Sequence, residues 1–476
     1  MISLVCTIDQ YRKPIEYTFG LLVSMLGLAD RDRTSAENRL VVSYGTPPVD
    51  TGAERQIRIY ASRRLWNSET YRKPSSLPTL PFQCYDELPI LYVGGEEGSK
   101  PFVRRSGSGI ETNLDLIASS FFLASCYQEV VEPQYDSHGR FRAAHSLLHR
   151  IGLLERPLVN EYASVLGRWI EELGGKVRPT RWWNGHRFCV CLTHDIDYVR
   201  KWTLGRLWLE VRNEAGLVRR GRLGEGVIRS LGTLRTLLGD PYWNLDRVAA
   251  VDREFGFRST FFMLADGSYR DQSRRLGLMS PAVLNILDRL ISDGFEIGLH
   301  GSYVSGEGKG DLLAERRRLE EACGNTVTGI RQHYLRFSPD ETPGWQEAAG
   351  LLYDTSLGYP DSIGFRSGVA YPYALYDIRR DDKRNLVEIP LVIMDDTLSS
   401  YGHLTAEQAW DACQKVLSGL ERSGGCAAIL WHNSGFDDLW YPGYGDLYQR
   451  CLQWIVDHDG WGTTGAEVVK AVKAKG

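Results

Sequence analysis

From position 187 onward the chain alternates short apolar runs with amphipathic stretches. Runs rich in β-branched and aromatic residues at 187–193, 259–264, 295–300, 327–332, 386–394 and 426–431 read as strands. Between them, apolar positions three and four apart predict helices over 245–255, 281–293, 345–352 and 406–422. Gly256 stops the first of these and Pro281 sits at the first turn of the second, where a missing N–H costs nothing. Parallel strands joined by helices build a barrel or an open sheet, and in both the ligand site gathers at the carboxyl ends of the strands. Upstream, 40–44, 56–61 and 89–93 read as strands and 114–131 and 156–174 as helices, a smaller α/β unit. The polar stretch 176–186 reads as a linker. Two units are therefore expected, 1–185 of unknown role and 186–476.

Composition removes several alternatives. With 476 residues, 43% hydrophobic and 24% charged, the chain has ordinary globular usage and enough length for two cores. A net charge of −4 supplies no basic field for a nucleic acid, so no nucleic-acid partner is expected. The apolar stretch 19–29 is about half a membrane span and follows Asp9 and Glu16, which predicts neither signal peptide nor transmembrane helix. Nine cysteines without CxxC pairs read as reduced core thiols, Cys189 and Cys191 among them, and the cytoplasm is the expected compartment. The loop 106–109, Ser-Gly-Ser-Gly, lacks a Walker lysine and reads as a connection rather than a phosphate cradle. Within the insertion 198–244, nine Lys or Arg between 200 and 235 outnumber three Glu. That segment reads as a solvated helical hairpin or as a surface for peripheral contact with an acidic membrane face or a lipid-linked glycan.

The ten histidines divide by position. His194, His300, His333 and His432 fall at or just beyond predicted strand ends, whereas His138, His145, His149, His186, His403 and His458 lie in helices or loops without acidic company. Four imidazoles and the carboxylates of Asp195 and Asp197 are expected to converge. Asp195 and Asp197 share a strand face. Two like charges so close need a cation between them or a screening arginine, and a divalent metal on one with Arg331 against the other meets that need.

Thr193-His194-Asp195-Ile196-Asp197, then 295–300 ending in His300, Arg331-Gln332-His333-Tyr334, Asp354-Thr355-Ser356 and 429–433 containing His432 together resemble the motif series of the polysaccharide deacetylases, the NodB-like carbohydrate esterases. The resemblance covers 187–475, and with the preceding unit it is similar to the long members that accompany surface-polysaccharide biosynthesis. It implies a distorted (β/α) barrel of the polysaccharide-deacetylase type preceded by a smaller α/β domain, and a bound divalent metal, zinc first, with nickel or cobalt as alternatives. It also implies hydrolysis of acetyl groups on an N-acetylated sugar or polysaccharide precursor. Carried over by position, it makes Asp195 the general base, Asp197 and His300 metal ligands, Arg331 the residue orienting the base, the Tyr334 N–H an oxyanion donor and His432 the acid that protonates the leaving group.

One position departs from that pattern. Where the family supplies a second histidine four residues after the first, this chain has Val304. His333 is the first candidate for the missing ligand and His194 the second; failing both, the site is too weak for metal and the protein is a glycan-binding or scaffold relative. No Gly-x-Ser-x-Gly elbow occurs, which disfavours a serine hydrolase. The glycine-rich run 301–310 is read as a lid or an idle loop, and Trp431, Trp440, Tyr441 and Tyr444 as sugar platforms or core. Asp354 is a candidate support for Arg331 or His432, while Asp395 and Asp396 have no assignment.

Overall fold

The computed structural model describes residues 2–28, 40–96, 98–107, 109–177, 183–201, 239–265 and 278–474, with single positions at 212 and 219. Apart from its two roots, the basic insertion with its 200–235 surface lies outside the described residues.

The first sheet comprises β1 (Ile2–Cys6), β2 (Leu40–Gly45), β3 (Arg55–Tyr60), β4 (Val103–Ser106) and β5 (Gly109–Thr112), in the order β1-β2-β3-β5-β4. All pairs are parallel except β4 with β5, which are antiparallel, so the 106–109 segment connects two strands instead of leading into a helix. β2 is buried at every position, as a central parallel strand must be. Three helices flank the sheet: α1 (Arg12–Met25), α2 (Leu116–Ala124) and α3 (Leu158–Glu172). The apolar stretch near the start became the inner face of α1, with Ile15, Thr18, Phe19 and Leu22 buried at helical spacing. No described helix is long and apolar enough to cross a membrane. The helix expected over 114–131 breaks in two: Cys126 turns left-handed at φ 51°, and a short helix Tyr127–Val131 follows. The strand expected at 89–93 is only Leu88–Ile90, paired with Gln83–Tyr85 outside the main sheet.

The second sheet has ten strands: β6 (Phe188–Ile196), β7 (Thr260–Leu264), β8 (Glu296–Gly301), β9 (Gly329–Gln332), β10 (Tyr353–Asp354), β11 (Tyr373–Asp377), β12 (Asp382–Glu388), β13 (Leu391–Met394), β14 (Cys426–Leu430) and β15 (Gly460–Thr463). Their order is β11-β12-β10-β9-β8-β7-β6-β14-β13, and β15 also pairs with β6. Only the β11–β12 hairpin is antiparallel. With β11 and β13 as unpaired edges, the result is a distorted, open (β/α) barrel beside the smaller α/β sheet, the expected fold class. Its helices are α4 (Leu245–Glu254), α5 (Pro281–Ser292), α6 (Leu312–Cys323), α7 (Thr342–Ala348), α8 (Ala406–Ser423), α9 (Tyr444–Asp457) and α10 (Gly465–Lys473). Local chemistry sets their ends: Ser280 caps α5 ahead of Pro281, and Thr405 with Gln408 forms a capping box on α8, which Gly424 stops in the left-handed region.

Alternation along β6 divides the interior. Phe188, Val190, Leu192 and Ile196 pack against the outer helices, in one cluster with Val248, Ile286 and Leu452. Cys189 and Cys191 face the other way, into a cluster that also holds Leu22, Phe121 and Leu166 from the first unit. All nine cysteines are free and eight are buried. The concave side of the barrel is thus filled partly by the smaller unit. Polar contacts reinforce this seam: Asn160 exchanges two hydrogen bonds with the Ala370 backbone, and Arg366 donates from Nε to Glu129 Oε1 at 2.9 Å, both fully in the interior. Position 185 marks a change of sheet but not of core. The 176–186 stretch is also more than a tether, because Trp183 is buried and donates to the Gly424 carbonyl at 3.0 Å.

Candidate active site and metal centre

β6 stays extended to Ile196, so period-two alternation sets Thr193, Asp195 and Asp197 on one face and His194 on the opposite one. His194 is fully buried between the sheet and the helices. Its Nδ1 lies 2.8 Å from the Trp431 carbonyl and its Nε2 3.1 Å from Asp252 Oδ2, an acid shared with Tyr448 and Ser259. His194 braces β6 against α4 and α9. The expected convergence of four histidines is therefore corrected to three, and His194 is removed as a ligand.

His300 ends β8 beside β9, and its Nδ1 sits 2.9 Å from the Arg331 carbonyl oxygen. A carbonyl only accepts, so Nδ1 carries the hydrogen and a neutral ring aims an Nε2 lone pair outward. That lone pair faces Asp197 Oδ1 at 3.2 Å and Asp195 Oδ2 at 3.7 Å. His333 follows β9, edge-on to His300 at 4.9 Å between ring centroids, with Nε2 3.4 Å from the same Asp197 oxygen. One ligand atom from each of Asp197, His300 and His333 lies within 4.8 Å of the others.

Charge explains why this cluster suits a cation. Burial favours a neutral Asp197, yet the imidazoles of His333 and His300 outweigh it and hold its carboxyl well below the usual range. Burial depresses His333 below an ordinary histidine. For His300 burial again opposes charge, but Asp195 and Asp197 prevail and raise it. An ionised Asp197 thus either draws protons onto these rings or, where they stay neutral, meets their lone pairs acceptor to acceptor, and Asp197 Oδ1 and His333 Nδ1 are buried without hydrogen-bond partners. A divalent ion resolves the conflict, and one carboxylate with two imidazoles is a donor set that first-row metals accept. Val304, half-buried beyond the end of β8, adds no donor.

Behind the cluster, Arg331 is fully buried. Its Nε donates to Thr355 Oγ1 at 2.8 Å and its Nη2 to Thr193 Oγ1 at 3.0 Å. The remaining Nη1 faces Asp195 Oδ1 at 3.8 Å, and neither atom has a hydrogen-bond partner. Asp354 does not touch His432. It accepts from Gln346 and Ser356, and Ser356 in turn accepts the Gln332 N–H, so the acid stiffens the end of β9.

At the end of β14, His432 Nδ1 lies 2.6 Å from Asp395 Oδ1, while its own N–H donates to Asp395 Oδ2 at 2.9 Å. Burial disfavours the imidazolium, but Asp395 overcomes this and raises the His432 pKa well above its ordinary value, with Asp197 and Asp195 adding to the pull. Asp395 follows β13, the neighbour of β14, so the rule of strand ends pointed to it although its sequence suggested no role. A side chain at Gly435 would place a Cβ 2.5 Å from Asp395 Oδ2, and only glycine leaves that carboxylate room.

Tyr334 and Leu335 occupy the left-handed region at φ 63° and 54°, a strained pair for residues with side chains. This turn carries the Tyr334 N–H past His333 and leaves its ring 41% exposed. The 301–310 run is pinned rather than lid-like: Glu315 accepts from the Ser302 N–H and hydroxyl, and Arg336 pairs with Glu307. Among the expected platforms, Trp431 and Tyr444 are core residues. The exposed rings near the site are instead Tyr334, which the motif series marked only for its N–H, and Tyr401, which no motif identified.

Residues 4–175 match the model of a family of unknown function, DUF7033. No curated protein matches the chain. Among solved structures the chain is similar to a putative polysaccharide deacetylase from Mycobacterium smegmatis, at 20% identity and TM-score 0.41 over 61% of this chain and 92% of that one. It is similar also to a probable polysaccharide deacetylase from Pseudomonas aeruginosa PAO1, at 15% identity and TM-score 0.39 over 62% and 95%. A CE4 family pseudoenzyme from Bacillus anthracis matches at 11% identity and TM-score 0.27 over 59% and 65%.

Proposed function

We propose that this protein is a metal-dependent deacetylase that hydrolyses an acetyl group from an N-acetylated sugar or a surface-polysaccharide precursor. The observation that carries the proposal is the meeting of Asp197, His300 and His333 beside an Asp195 whose inward oxygen has only Arg331 before it. A divalent ion held by those three residues, zinc before nickel or cobalt, would polarise the acetyl carbonyl and make a water acidic enough to attack it. Asp195 takes the proton of that water, and Arg331, fixed by two threonines, stands 3.8 Å behind it to orient the base. The Tyr334 N–H donates to the carbonyl oxygen as charge gathers there. His432, kept protonated by Asp395, gives its proton to the departing amine or alcohol. Work in the cytoplasm, read from the cysteine usage, with peripheral contact to the inner membrane face or a lipid-linked glycan through 200–235, read from the charge of that segment, belongs to the same proposal.

Val304 favours a second reading, a glycan-binding relative that lost its metal. Metal analysis of the purified protein together with acetate release from N-acetylated chitobiose separates the two. Stoichiometric metal with acetate release supports the enzyme; sugar binding by a protein that takes up no added zinc, nickel or cobalt overturns it.

A further inference from the structure

The first unit sends one loop over the barrel. Asp136 ties that loop into a compact turn, accepting from the N–H groups of His138 and Arg140 and from the Arg140 guanidinium at 2.7–3.0 Å. Both residues on the turn reach an aromatic ring of the site. The His138 ring stacks on Tyr334 at 5.2 Å and 28°, and its Nδ1 lies 2.9 Å from the Tyr303 hydroxyl. Arg140 donates from Nη1 to the Tyr401 hydroxyl at 2.9 Å, with its guanidinium 5.5 Å from that ring. From the barrel side, Arg336 donates to the His138 carbonyl at 2.7 Å and locks the loop down.

This loop therefore holds the two exposed rings beside the site. Tyr334 is 41% and Tyr401 40% exposed, although each is fixed from behind. Tyr334 meets the His333 ring edge-on, at 4.6 Å between ring centroids. Rigid tyrosines give broad contact at small entropic cost, with a hydroxyl to hydrogen-bond, a combination that suits the alternating C–H faces and hydroxyls of a sugar ring.

We infer that the 136–140 loop of the first unit completes a glycan subsite on the rim of the barrel, in which Tyr334 and Tyr401 hold the sugar ring next to the one being deacetylated. The inference rests on the proposed deacetylase reading for its location but not for its readout. His138 and Arg140 act as positioning residues, and Tyr334 touches the ligand. The substrate class follows: an oligomer of at least two sugar units rather than a free monosaccharide.

The test is binding of a β-1,4-linked tetramer of N-acetylglucosamine to the full chain, by calorimetry, with hydrolysis of p-nitrophenyl acetate by the zinc-loaded wild type as a separate measurement. His138→Ala, which removes the support behind Tyr334, is expected to weaken tetramer binding about tenfold while binding of the monosaccharide changes less than twofold. His138→Phe, which keeps a ring against Tyr334, is expected to recover most of that loss, and Tyr334→Ala to match His138→Ala. Equal tetramer affinity in wild type and His138→Ala, equal losses for tetramer and monosaccharide, or no tetramer binding by wild type would each overturn the subsite. Absent ester hydrolysis with His138-dependent tetramer binding would instead remove the deacetylase reading and leave the subsite standing.

Discussion

Both sheets place buried aspartate oxygens at the carboxyl ends of parallel strands, those of Asp115 in the first and of Asp195 and Asp197 in the second, and the two sets are treated in opposite ways. Asp115, just past β5, accepts from the Tyr44 hydroxyl at 2.8 Å, the Ser62 N–H at 2.6 Å and, as the cap of α2, the Ala118 N–H at 2.8 Å. Every lone pair that matters is used, and the residue is structural. Asp195 is comparably enclosed and Asp197 half-buried, yet each keeps a buried oxygen without a donor, facing an arginine edge or imidazole nitrogens. Leaving such a group unmade costs about 1–3 kcal/mol, so the native chain tolerates it where something absent from the protein itself completes the contact. Saturation of hydrogen bonds, not position in the fold, separates the acid that holds the protein together from the acids proposed to act.

Removing the acting acids should break activity without breaking the fold. Asp195→Asn is expected to lower acetate release by about 10³-fold or more, the scale of a lost general base, while metal content and thermal midpoint stay near wild type. Asp197→Ala should remove the metal and activity together. Elemental analysis beside an acetate assay checks both; full activity in Asp195→Asn would end its assignment as the base.

Asp395→Asn should cost about 10²-fold, because His432 then loses both its orientation and the charge that keeps it protonated. The sign is specific. With His432 as the proposed acid, activity should fall as pH rises through its pKa, and Asp395 raises that pKa. The alkaline limb of the rate profile should therefore move to lower pH in the variant, and an unmoved limb would show that His432 is not the acid. His333→Ala should weaken zinc binding by about 100-fold, the upper scale that even an outer partner of a metal site carries. Unchanged affinity in a competition titration with a chelator would leave Asp197 and His300 without a third protein ligand.

Strand periodicity made most of the barrel legible, because parallel strands buried on both faces are continuous apolar runs and their ends carry the polar chemistry. Six strands and four helices were read within a few residues, although the run over 386–394 is in fact β12 and β13, broken at Ile389-Pro390. α6, α9 and α10 escaped because their apolar positions are interleaved with charges, as in Leu312–Cys323. The acid-x-acid pair, His300 and His333 were readable from spacing, and the same period-two rule would have excluded His194, one residue from Asp195 and therefore on the other face. Asp395 was readable only with knowledge that β13 neighbours β14, which is a fact of topology. His138 was illegible for a deeper reason. It meets Tyr303 across 165 positions of sequence and a boundary between sheets, and no local pattern encodes that contact.

The smallest effect concerns the saturated acid. Burial pushes the Asp115 pKa up to about 7, against 3.8 for an ordinary aspartate, even though Ala118, Ser62 and Tyr44 all donate to it. In the folded chain the proton is thus held where the unfolded chain releases it, so the contribution of this group to stability is fullest below pH about 4 and is lost progressively toward pH 7. Asp115→Asn cannot ionise, but its amide sets an N–H against the Ser62 donor, at a cost of about 1–2 kcal/mol. The variant should be the less stable protein at pH 4, with the gap narrowing as pH rises, and denaturant titrations at pH 4, 5.5 and 7 read this directly. Metal content should not change. A gap that stays constant across the three titrations would mean that the Asp115 carboxyl keeps one protonation state throughout, and that saturation by donors has overcome burial at this position as charge does at Asp197.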